Sequence, residues 1–109
     1  MTSEEFRKLA LSLPAASEGA HMGHPDFRVA GKIFATLAYP KRGWGTIMLT
    51  RDEQEHFVRA QPAAFSPVKG GWGEKGATNV QLRTATKGIV RGALTFAWQK
   101  RAPRRLTRK

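Results

Sequence analysis

The chain has 109 residues, 40% of them hydrophobic and 25% charged, the proportions of one ordinary globular domain with a single core. Nineteen Lys and Arg stand against eight Asp and Glu, giving a net charge of +11 and an isoelectric point near 11.2. The absence of cysteine excludes disulfides, cysteine-ligated zinc, iron–sulfur clusters and thiol catalysis.

In chain order, Thr2 with Glu5 spells a capping box, and Phe6, Leu9, Ala10 and Leu13 follow at helical spacing up to Pro14. From Ser17 to Leu49 the pattern turns to strands. Phe27 to Val29 alternates, Ala30-Gly31 predicts a tight turn, and Lys32 to Ala38 forms the next strand. There Ile33, Ala35 and Leu37 are expected on one face, with Phe34, Thr36 and Ala38 on the other. Tyr39 to Gly45 reads as a hairpin loop, after which Ile47 and Leu49 resume the alternation. Thr50 with Glu53 opens a second helix that carries Phe57 and Val58 and stops at Pro62.

Residues 62–76 hold two prolines and four glycines and read as a long connection, of the kind that is often functional. A half-buried strand is expected over Asn79 to Arg83. A final helix from about Ala85 to Arg101 places Ile89, Val90, Ala93, Leu94, Phe96, Ala97 and Trp98 on a broad apolar face. The sum is a two-layer α+β domain over residues 1–101, an antiparallel sheet covered by helices, followed by a basic tail over 102–109.

Residues 2–13 carry two glutamates and no long apolar region, so no secretory signal is expected. The run Ile33–Tyr39 falls far short of the ~20 apolar residues that span a bilayer. A cytoplasmic protein without membrane association is the expectation.

The charge is uneven. Lys100, Arg101, Arg104, Arg105, Arg108 and Lys109 lie in the last ten residues with no acid among them, and taking these six charges from +11 leaves +5 on residues 1–99. That distribution points to an acidic partner.

Motifs for chemistry are weak. Gly71-Trp-Gly-Glu-Lys-Gly76 matches the letters of a dinucleotide fingerprint, but a Pro/Gly loop is expected before it and a strand after it, without the helix that would hold a pyrophosphate. Lys75 is followed by Gly76, so no P-loop exists. Glu18, His21, His24 and Asp26 could be gathered into a metal site, yet their spacing is not that of a zinc helix, and strand-edge histidines satisfied locally are the simpler expectation. Ser66 lacks a nucleophile elbow, and Asp52, Glu53 and Glu55 suit a helix dipole better than acid–base work. An enzyme, a metal and a cofactor are therefore not expected.

Two glycine-rich tips combine bases with a tryptophan: Lys41-Arg42-Gly43-Trp44, and Lys69 to Lys75 around Trp72. Bases neutralise phosphates, and glycines let backbone amides approach closely. A tryptophan there either stacks on an unpaired base or folds back to seal a core edge, and the usual burial of large aromatics favours the second.

Phe6 to Pro14, Gly23-His-Pro-Asp-Phe-Arg-Val-Ala-Gly-Lys-Ile-Phe-Ala35, the loop Pro67 to Gly76 and Trp98 to Pro103 together resemble the MmcQ/YjbR family of small bacterial proteins, in the family's order and over nearly the whole chain. The resemblance implies a frataxin-like fold, also compared with a double-wing DNA-binding arrangement, and it brings no catalytic residues to carry over. The arginine-rich tail goes beyond the family's pattern. The expectation is a non-enzymatic DNA-binding protein of low sequence specificity. Lys41, Arg42, Lys69 and Lys75 would hold phosphates from the loops, Trp72 would lie beside them, and Arg101, Arg104, Arg105, Arg108 and Lys109 would form an arm. The alternative is an interaction or small-ligand module with an RNA or acidic protein partner, marked by a concave pocket near Phe27, Phe34 and Trp72. A cleft collecting Glu18, His24 and Asp26 would mark an enzyme instead.

Overall fold

Both capping boxes close as spelled. In the computed structural model, which describes residues 1–39 and 41–107, the Thr2 hydroxyl accepts from the Glu5 amide while the Glu5 carboxylate accepts from the Thr2 amide, opening helix α1 (Ser3–Leu11). Thr50 and Glu53 do the same for α2 (Arg51–Ala60). Helix α1 ends before Pro14, where the Ser12 amide and hydroxyl turn back onto the Leu9 carbonyl.

Between these helices run β1 (Ala16–His21), β2 (His24–Val29), β3 (Lys32–Leu37) and β4 (Trp44–Met48). The first two hairpins use two-residue turns, Met22-Gly23 and Ala30-Gly31, with φ positive at both positions of each. After α2 come β5 (Phe65–Pro67), the one-turn helix α3 (Gly71–Glu74) and β6 (Ala77–Gln81). The expected long loop thus contains a strand and a helical turn. The expected strand over Asn79–Arg83 starts two residues earlier, and Leu82–Thr84 instead forms a 3-10 turn. Helix α4 (Lys87–Arg101) follows, and then the turn α5 (Arg104–Thr107).

The six strands form one antiparallel sheet in the order β1-β2-β3-β4-β6-β5. Phe6, Leu9 and Ala10 of α1 and Val90, Ala93, Leu94, Ala97 and Trp98 of α4 bury one side of it. The Trp98 indole donates to the Pro14 carbonyl at 2.9 Å, tying α4 to the turn after α1. Phe96 stays 45% exposed, edge-on to Phe57, rather than joining the buried face.

The strict alternation expected in β3 does not hold. Phe27 pairs with Ala35 and Arg28 with Ile33, so Phe34 is an extra residue, a β-bulge. Phe34 and Ala35 are both fully buried in the core, and the parity of the strand switches there. Ile33 and Thr36 consequently share the opposite face, away from the core-packing residues of α1 and α4, and both line a cavity there.

The candidate site: a concave sheet face with a basic rim

A polar row crosses this second face from strand to strand. Asp26 pairs with Thr36, Thr36 with Thr46, and Thr46 with Asn79. The Thr46 hydroxyl lies 3.2 Å from the Asn79 side-chain oxygen. Beside that row lies a cavity of about 510 Å³, within the range of small-ligand sites. Its floor includes Ile33, Thr36, Thr46, Met48 and Ala77, and its walls include His21, His24, Tyr39, Trp72 and Arg101. Phe27 and Phe34, expected beside such a pocket, are instead fully buried in the core, because the bulge turns Phe34 toward the helices.

At one wall the fully buried Asp26 carboxylate accepts from Arg28 Nε at 2.7 Å, from Arg28 Nη2 at 3.0 Å and from His21 Nδ1 at 2.8 Å. The Arg28 contacts first, then the His21 bond, hold the carboxyl below the usual carboxylate range against the opposing effect of burial. A carboxylate can only accept, so the His21 proton sits on Nδ1 toward Asp26. Gly19 lies opposite Asp26, and a Cβ there would come within 3.0 Å of Asp26 Oδ1. Of the four residues considered for a metal, Glu18 binds Arg7 at 2.9 Å, while Asp26 is held by Arg28 and by His21. His24 sits edge-on to Tyr39, its Nδ1 buried without a hydrogen-bond partner among the described residues.

The second tip is more ordered than its glycines suggest. Gly73 and Gly76 are buried, and a Cβ would fall 1.6 Å from the Val68 carbonyl oxygen at Gly73 and 2.0 Å from the Leu49 carbonyl oxygen at Gly76. Gln54, 3% exposed in α2, donates its amide to the Gly73 and Ala77 carbonyls, each at 2.9 Å. The glycines therefore serve close backbone packing; the motif lies between two strands, with only one helical turn inside it. Gln54 was not singled out from sequence, although a polar residue three before Phe57 on a capped helix marks an inward-facing amide.

On this clamped turn Trp72 is 67% exposed, with the Lys75 ammonium 5.6 Å from its ring centroid. The expectation that it seals a core edge fails, because the turn is pinned through its glycines and leaves the indole outside. Trp44, in β4, is half-buried.

Lys41, Arg42, Lys69, Lys75, Arg104 and Arg105 are all exposed, and none forms an ion pair among the described residues. None of the six lines the cavity, but each lies within four residues in sequence of one that does: Lys41 and Arg42 follow Tyr39, Lys69 and Lys75 flank Trp72, and Arg104 and Arg105 follow Arg101. From Lys75 to the end of the chain no Asp or Glu occurs. Arg101 is not a free arm residue: it is half-buried and donates to the Met48 carbonyl at 3.1 Å, and burial pushes its guanidinium down from the usual value. Ala102 and Leu106 pack against the core, so the tail is docked as far as α5. Arg108 and Lys109 lie outside the described residues. No helix among the described residues is long and apolar enough to cross a membrane.

Comparison with known proteins places these features in a family. A family model described as YjbR matches residues 11–100. The crystal structure of Deinococcus radiodurans protein DR2400, with a DUF419 domain, is 15% identical and aligns with a TM-score of 0.71 over 89% of this chain and 75% of that one. That likeness shows the fold, an α+β domain with an antiparallel sheet against helices. No curated protein matches the chain.

Proposed function

This chain belongs to the YjbR family, and from that premise and the exposed basic segments that neighbour the residues of its open sheet face in sequence we propose that it binds DNA with little sequence specificity. The observation that carries the reading is that three exposed basic segments, Lys41-Arg42, Lys69 with Lys75, and Arg104-Arg105, form no ion pair among the described residues and lie within four residues in sequence of residues that line one concave face. Cations of this kind hold phosphates and release condensed counterions, so affinity falls as salt rises. The chemistry is binding alone, without a catalytic step. Arg108 and Lys109 would extend the basic tail. The test is fluorescence anisotropy of a labelled duplex over a salt series. Six phosphate contacts give a log–log slope near about −5, and binding indifferent to salt overturns the proposal.

The cavity favours a second reading, a module for a small ligand or for an RNA or acidic protein partner. Its volume of about 510 Å³ and largely apolar floor suit a compact occupant. Ligand affinity untouched by substitution of the rim bases would support it.

A further inference from the structure

Resting on that reading, we infer that the concave face receives one unpaired base of single-stranded DNA, stacked on Trp72, while the neighbouring phosphates lie on the rim bases. Trp72 is the first reason. A large aromatic held 67% exposed on a turn that Gln54, Gly73 and Gly76 clamp is a rigid platform rather than a loose side chain. Its ring already carries the Lys75 ammonium at 5.6 Å, which sets a phosphate-binding charge beside a stacking surface.

The cavity supplies the rest. Ile33, Met48 and Ala77 give it an apolar floor, and Tyr39 adds a second aromatic on the wall. Polar groups converge on it sparsely, as they do where one ligand must be oriented. His24 lines the cavity, and its buried Nδ1 has no partner among the described residues. His21, fixed through Nδ1 by Asp26, retains its other ring nitrogen for a ligand. Arg101 lines the same wall with one hydrogen bond to a carbonyl and no ion pair among the described residues. A paired duplex hides its base faces in the stack, so only an unpaired strand can put a ring against Trp72 and phosphates on both sides of it.

The experiment compares a labelled dT oligomer, a duplex of the same length and an RNA strand of matching length, for the wild type, Trp72→Ala and Trp72→Phe at one salt concentration. The single DNA strand is expected to bind more tightly than the duplex. Trp72→Ala should weaken it about tenfold or more, Trp72→Phe should retain most of the affinity, and duplex binding should hold. An unchanged single-strand affinity in Trp72→Ala overturns the inference while leaving salt-dependent duplex binding, and the proposal above, intact. An equal loss for strand and duplex overturns it too, since Trp72 would then serve the backbone alone. Tighter binding of RNA than of DNA overturns the choice of DNA. If no nucleic acid binds, the function proposed above fails and this inference fails with it.

Discussion

The Lys75 ammonium lies 5.6 Å from the centroid of the Trp72 ring, and the indole beneath it is 67% exposed. This pairing joins the two chemistries the candidate site needs, a positive charge and an aromatic surface, on one helical turn. Lys75→Ala should lower the salt slope of DNA binding by about one, because one phosphate contact is lost. Stability should move by less than about 0.5 kcal/mol, since the side chain is at the surface; thermal melts and the salt series check both.

The glycines of the same turn divide by role. Gly73→Ala and Gly76→Ala should each cost about 3 kcal/mol or more, because a Cβ at either position falls on a backbone carbonyl oxygen and Gly76 also has φ +116°. Gly71→Ala has nothing within 4 Å of its new Cβ and should melt as the wild type does. Chemical denaturation of the three variants separates a packing role for the motif from a phosphate-cradling one.

Gln54 is the matching device from the helix side. Gln54→Leu removes two buried hydrogen bonds, to the Gly73 and Ala77 carbonyls, and should destabilise the fold by about 2 kcal/mol. The same variant should release Trp72 and weaken binding beyond that of Lys75→Ala. Denaturation midpoints and tryptophan fluorescence read the two effects.

Asp26 gives the protein an acid-sensitive element. Its folded pKa lies below the unfolded value of about 3.9, so its contribution to stability is fully present above that value. It is lost as the pH falls through that value toward the lower folded one. Asp26→Asn should therefore be less stable than the wild type at neutral pH by about 2 kcal/mol, and the gap should narrow as the pH falls below about 4. Melting curves across that interval check the sign.

Much of this fold was legible in the sequence because its signals are local. Thr2 with Glu5, Thr50 with Glu53 and the Ala30-Gly31 turn each act within a few residues, and all form as spelled. What escaped depends on partners far along the chain. The β3 bulge exists because Phe34 and Ala35 both find room in the core, which no period-two pattern discloses. Strand β5 forms only by pairing with β6, and α3 only because Val68, Leu49 and Gln54 close around its glycines. The exposure of Trp72 follows from that clamp and reverses the general tendency of large aromatics. The exposed bases were identifiable by charge, while the cavity whose lining residues they neighbour in sequence came from the topology.

The central claim is that the exposed bases around the open face hold a polyanion. Its most direct test is the salt dependence of duplex affinity for the wild type and for a variant with Lys41, Arg42, Arg104 and Arg105 replaced by Ala. These four are at the surface, so the variant keeps Leu106 and the docked turn that a truncation would remove. The account predicts a steep wild-type slope that loses about four units in the variant. An equal slope for both proteins, or no dependence on salt at all, contradicts it.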